Sequence, residues 1–272
     1  MNTQKLKLLI LGMLVSGIVF INHNMVSAGS KKSTNYIKGE ITKTFSDGRM
    51  GKISWRTRYI TAKGMAPAPP NTYSPAQAEV SARDAAILDA QRYLLEMTQG
   101  VQVDVTTCVS DHMVSEVKRK HIEGIIKDYE ITRENWEKGI YKITMQIPMG
   151  KLIKVFVDEK DDFPINRPAN YTGLVIDTRD VNLTPAIFIN IYNESGEKIC
   201  GPIHTTYRVT EKNVEDVQEK RLGNSPLRIM AQDTSGKHNV DIVISNEDAD
   251  KIRRNVLNTG IFSKGKVVVL ID

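Results

Sequence analysis

The chain has 272 residues and a formal net charge of +5, from 37 Lys and Arg against 32 Asp and Glu. Its basic clusters (Lys31-Lys32, Lys118-Arg119-Lys120, Arg253-Arg254) are interspersed with acids and no aromatic platform accompanies them, so solvated faces are expected and nucleic acid is not an expected partner. Two cysteines in this length exclude a disulfide scaffold.

Residues 1–28 read as an export signal. Lys5 and Lys7 precede an apolar run over 8–21, and Val26-Ser27-Ala28 supplies small residues for cleavage. Cleavage leaves a net charge of +3 and no integral membrane span; an uncleaved signal acting as an anchor is the rival reading. No cysteine follows the run, so a lipid anchor is not expected, and the predicted location is the periplasm.

A first domain is expected over 29–158. Strand alternation spans 36–44 and 53–62, with Ser46-Asp47-Gly48 as a turn. Prolines at 67, 69 and 70 predict an irregular connector over 64–71. Ser74-Pro75-Ala76-Gln77 then opens a long helix with a capping box, and Gly100 closes it in the left-handed conformation.

Inside this helix Val80, Ile87, Leu88, Leu94 and Leu95 predict a thick core on one flank. Ala78, Ala82, Ala86 and Ala90, with Tyr93 and Met97, permit close approach on the other. Val101, Val103 and Val105 predict a half-buried strand. A helix over 111–120 ends at Gly124, and 125–136 with 140–147 form a hairpin turning at Glu137-Lys138-Gly139. This irregular alternation predicts an α+β fold: an antiparallel sheet carrying one long packed helix.

The stretch 159–170, charged and broken by two prolines, is expected as a linker; it lacks the central glycine and terminal glutamate of a calcium loop. A second, smaller, strand-rich α+β domain is expected over 171–272. Its strands lie at 174–176, 186–192, 198–200, 227–231 and 240–244, a helix begins at Ser245 with Ala249, Ile252 and Val256 on one face, and 267–271 is a fully buried strand.

Motifs for chemistry are sparse. No phosphate loop, zinc-type histidine pair or nucleophile elbow occurs, and no cofactor or metal is expected. Gly173-Leu-Val-Ile-Asp177 puts an acid at a strand end as zinc amidases do, but Thr178-Arg179-Asp180 follows where a histidine ligand is needed. Ser110-Asp111-His112 holds triad residue types, yet sequence neighbours rarely converge. Cys108 and Cys200 are expected as buried thiols or as one disulfide, with His112 and His204 as the only local partners for thiol chemistry.

Residues Ala82-Arg83, Ala85-Ala86, Asp89-Ala90, Arg92, Leu94, Glu96, Gly100-Val101 and Val103, then Gly124, Trp136, Gly139, Tyr141 and alternating Ile143, Met145 and Ile147, resemble the LPP-twenty lipoprotein family. The same pattern is similar to the N-terminal domain of the flagellar ring protein FlgT, over residues 36–158. The resemblance implies a non-enzymatic bacterial envelope protein with an α+β domain, and as partners cell-envelope proteins, including those of the flagellar basal body. The absent lipobox cysteine removes the lipid anchor from what it implies.

The expected function is therefore protein contact in envelope or flagellar assembly, with Trp136, Glu137 and Lys138 at the hairpin tip and Pro67, Pro69 and Pro70 in the connector as the contact surface. The alternative is a binding module for cell-wall glycan or a small ligand, which needs a concave site with an aromatic such as Trp55 or Trp136.

Overall fold

Short strands joined by left-handed turns build the first part of the chain in the computed structural model, which describes residues 33–37, 39–157, 165–218 and 220–272. The expected signal at 1–28 and the start of the expected linker, 158–164, lie outside the described residues.

Strands β1 (Ser33–Ile37), β2 (Glu40–Thr44), β3 (Met50–Ser54) and β4 (Tyr59–Pro67) follow one another as antiparallel neighbours. Each of the two runs read as single strands is in fact divided by a residue at positive φ, Gly39 in the first and Arg58 in the second. Helix α1 (Pro75–Gln99), α2 (Val109–His112) and α3 (Glu116–Lys127) come next, then β5 (Glu130–Glu137), β6 (Ile140–Pro148) and α4 (Met149–Val157). The six strands form one antiparallel sheet in the order β1-β2-β3-β4-β6-β5.

Alternation along β4 and β6 explains where α1 sits. Ile60, Ala62 and Ala66 with Tyr141, Ile143, Met145 and Ile147 all turn to one face and are buried beneath the helix. The helix meets them through its small side: Ala78, Ala82, Ala86 and Ala90 are buried with Tyr93, Leu94 and Met97. The expected thick flank holds only in part: Leu94 is buried and Ile87 and Leu95 pack partly buried against the core, whereas Val80 and Leu88 are 59% and 67% exposed. Contact is closest at Gly64, where an added Cβ would run into Ala86 O and Ala90 N and lie 2.8 Å from Ala90 Cα. Asp89 locks this contact by accepting from Arg49 Nε at 2.5 Å and Met65 N at 3.0 Å.

Other local expectations need amendment. Ser74 caps α1 by accepting from Gln77 N at 3.2 Å, while the Gln77 side chain reaches Tyr73 N rather than the cap residue's own amide. Gly100 ends the helix in a right-handed conformation (φ −83°), its N–H satisfied by Met97 O. Residues 64–67 are not irregular: β4 runs to Pro67, which occupies the strand's last position, where a missing donor disturbs the ladder least. Gly124 lies inside α3 instead of ending it, and Val114 and Val117 are exposed.

The Val101–Val105 stretch is a strap instead of a strand. Asp104 Oδ1 accepts from the amides of Thr106 and Thr107 at 2.8 Å, and this local turn leaves only a single bridge between Gln102 and Cys108.

The remaining elements are β7 (Leu174–Asp177), β8 (Phe188–Asn193), β9 (Lys198–His204), β10 (Thr206–Val209), β11 (Leu227–Ser235), β12 (Asp241–Ile244), α5 (Asn246–Asn255) and β13 (Val267–Ile271). They form a seven-stranded mixed sheet, β10-β13-β7-β11-β12-β8-β9. Strand β13 is buried along its whole length, as its unbroken Val-Val-Val-Leu-Ile run predicts, and it pairs in parallel with β7 and β10. A bulge between Ala231 and Asp233 bends β11 as it passes from β7 to β12. Strands β9 and β10 are the two edges of this sheet, yet Thr205 alone separates them in sequence, so the sheet curls until its edges adjoin. Helix α5 starts at Ser245, which accepts from Asp248 N at 3.1 Å, and buries Ala249 and Ile252 as expected.

The two sheets share one continuous core. The strap joins them: Gln102 O accepts from Ile187 N at 3.1 Å and Val103 O from Phe188 N at 2.8 Å, at the start of β8. Trp55 meets Tyr207 edge-on, ring centroids 4.9 Å apart. Past the undescribed stretch, Asn166 N and Arg167 N both donate to Asn258 O, so this part of the expected linker is tied to the loop after α5.

Candidate functional site

The β5–β6 turn consists of two residues, Lys138 (φ 51°) and Gly139 (φ 74°), both left-handed, the pair of conformations that matches the natural twist of a two-residue hairpin. Behind it Trp136 faces Tyr141 across the strands, centroids 6.0 Å apart, with Trp136 half-buried. Glu134 accepts from Tyr141 Oη and from Arg83 Nε of α1, both at 2.9 Å, so the hairpin is clamped to the helix. The same two donors hold the Glu134 carboxyl below its ordinary value, the Tyr141 hydroxyl first and the Arg83 guanidinium second.

The proline connector arrives at this turn. Pro67 pairs with Ile140, and Ala68 N donates to Gly139 O at 2.8 Å. Two segments some seventy residues apart in sequence thus form one end of the sheet, on which Pro67, Pro69, Pro70, Glu137 and Lys138 are exposed. Tyr73, 98% exposed, follows just before α1. The sequence shows both segments; their adjacency depends on β4 extending through Gly64 to Pro67, which the prolines obscure.

The cysteine candidates are not brought together with their histidines. Cys108 and Cys200 are free thiols, so no disulfide joins them. Cys108 caps α2, with its Sγ 3.3 Å from Asp111 Oδ2 and 3.0 Å from Ser110 Oγ, while His112 Nε2 lies 3.1 Å from Thr107 Oγ1. Those contacts also disperse the Ser110-Asp111-His112 trio. Cys200 is buried, which pushes its thiol up to about 12 and leaves it protonated.

Asp177 is 6% exposed at the end of β7, paired in two-pronged fashion with Arg179 at 2.8 and 2.5 Å. Burial opposes its charge, but the Arg179 hydrogen bonds outweigh it and hold the carboxyl below its ordinary value. Arg179 also donates to Lys212 O at 2.7 Å, so the pair fastens β7 to the loop after β10.

Sequence reasoning missed a cleft of about 290 Å³ between the two sheets, where Trp55, Arg58 and one side of α4 from Met149 to Val157 meet residues 204–207 and Arg221. No sequence window could reveal it, because its walls come from four distant segments. Among the described residues no three His, Cys, Asp or Glu side chains stand as a metal ion would require, and no helix is long and apolar enough to cross a membrane.

Residues 173–272 match the family model described as Treponema pallidum Tp0624, second domain. The match spans the seven-stranded sheet and stops short of the six-stranded one, so it touches neither the hairpin tip nor the proline connector. No curated protein matches the chain.

Proposed function

We propose that the protein is an exported, non-enzymatic component of a bacterial envelope that binds another protein through the free end of its six-stranded sheet. One observation carries the reading: the hairpin tip and the proline connector converge on a single exposed, rigid end. Ladder hydrogen bonds and the Arg83–Glu134–Tyr141 clamp pre-order the backbone there, so little conformational entropy remains to be lost on binding. The prolines add exposed surface that is already stiff. The resemblance of residues 36–158 to the LPP-twenty family and the FlgT N-terminal domain supports an envelope setting, with flagellar assembly as one form of it.

The test is site-specific photocrosslinking in cells, with the crosslinker at Lys138 or at Pro69. Both positions should trap the same envelope protein, and a Glu137→Lys/Lys138→Glu exchange should abolish the product while leaving the melting temperature unchanged. Different products from the two positions, or a product indifferent to the exchange, would refute the shared surface. Recovery of the chain from the cytoplasmic fraction would refute the export reading.

A further inference from the structure

The inter-sheet cleft has the chemistry of an anion site. Among the described residues its walls carry Arg58, Lys154 and Arg221 and no Asp or Glu. Among the described residues none of these three cations is paired with a carboxylate, and Arg221 only donates to the Thr206 hydroxyl. His204 adds no charge at neutral pH, since burial, then Arg221, brings it down to about 4.

Two further observations point to a ligand. Trp55, 5% exposed, has an indole N–H buried without a hydrogen-bond partner among the described residues, while the Thr205 side chain beside the cleft is engaged with the Tyr207 hydroxyl. Buried polar atoms are nearly always paired, so this indole N–H at the cleft wall indicates a donor reserved for something that binds there. Arg58 sits at φ 62°, a left-handed conformation that glycine adopts without strain and arginine does not. Strain kept at a cleft wall, with a guanidinium as the residue's contribution, is a mark of a functional position.

We propose that this cleft binds a phosphate monoester carrying a small apolar or ring-shaped body. Three cations with no carboxylate partner among the described residues suit a dianion better than a monocarboxylate, and guanidinium groups match phosphate geometry with paired donors. Met149, Ile153 and Val157 provide an apolar wall beside Trp55 for the ester body. The volume is at the small end for ligand pockets and fits a molecule of this size. The site requires both sheets, because Trp55, Arg58 and Lys154 lie outside the segment matched by the family model while His204 and Arg221 lie inside it.

The experiment uses the full chain with Trp136→Phe, which leaves Trp55 as the sole indole, titrated with phenyl phosphate, inorganic phosphate or phenol. Ligand-observed NMR on the unmodified chain supplies a second readout. Phenyl phosphate should saturate the Trp55 signal, inorganic phosphate should bind more weakly, and phenol should not saturate. Arg58→Gly and the Lys154→Gln/Arg221→Gln pair should each weaken phenyl phosphate by about tenfold or more, the loss of a charge-assisted hydrogen bond. Arg58→Gly should do so with no fall in melting temperature.

Phosphatidate vesicles carry the same monoester on a lipid: competition by vesicles assigns a headgroup, its absence a free molecule. Absence of saturation in both readouts, equal binding of phenol, or unchanged affinity in the variants would overturn the proposal. None of these outcomes touches the hairpin-tip reading, whose residues lie elsewhere.

Discussion

His204 shows how placement of one side chain sets a property of the whole protein. Burial and the nearby Arg221 lower it from an ordinary 6.5 to about 4. Between those values the unfolded chain binds a proton that the folded chain refuses, so this contribution to stability is complete above pH 6.5 and is lost as pH falls toward 4. With solvent screening of a half-buried group the loss is on the order of 2 kcal/mol. Urea midpoints measured from pH 7 to 4 should fall through this window, and His204→Gln should flatten that part of the decline. An unchanged slope would mean that His204 is protonated in the fold. Asp177 acts at lower pH: its carboxyl is depressed, so its stabilisation is present above the unfolded value near 3.8 and is lost as pH falls through the folded one. The Asp177 shift comes from a near neighbour in sequence, Arg179, whereas that of His204 cannot be read from its sequence neighbours. His204 looked like a partner for Cys200, and the strands that bury it are distant in the chain.

Helix α1 is the element whose sequence says most and misleads most. Its boundaries were legible because Ser74, Pro75 and Gly100 act locally, through caps and one missing donor. Its buried face was not, because periodicity places apolar residues on two flanks and does not say which one meets the sheet. Gly64 decides the matter: only a helix presenting alanines can come so near a strand. Gly64→Ala should therefore destabilise the fold by about 3 kcal/mol, since its clash is with backbone that cannot rotate away. Leu88→Ala, deleting a larger side chain from the exposed flank, should change stability by no more than about 0.5 kcal/mol. Equal effects of the two in denaturant titration would reverse the assigned face. The β5–β6 hairpin was legible for the same reason as the caps, Lys138-Gly139 being a local turn signal. The valine strap was not, because Asp104 forms its own turn within an alternation that otherwise spells strand.

At the scale of the molecule, the two sheets are expected to unfold together. The continuous core, the Trp55–Tyr207 contact and the strap leave no plane along which they separate without exposing apolar surface. Fluorescence of Trp55 at the junction and of Trp136 at the far end, read in the two single-tryptophan variants, should report the same urea midpoint after correction for each variant's stability. Two separated midpoints would show independent units. An α+β architecture with an antiparallel first sheet was legible from the spacing of turns and helices, whereas β10 and the curl of the second sheet were not, because they depend on pairings far apart in the chain. The strap also bears on inheritance. Residues 173–272 match a domain known from another protein, yet here the amides of Ile187 and Phe188 are satisfied by carbonyls at positions 102 and 103. Recombination that moved the matched segment alone would strip the amides of Ile187 and Phe188 of these two carbonyl acceptors, so the borders of the matched segment cut through a hydrogen-bonded junction of this chain.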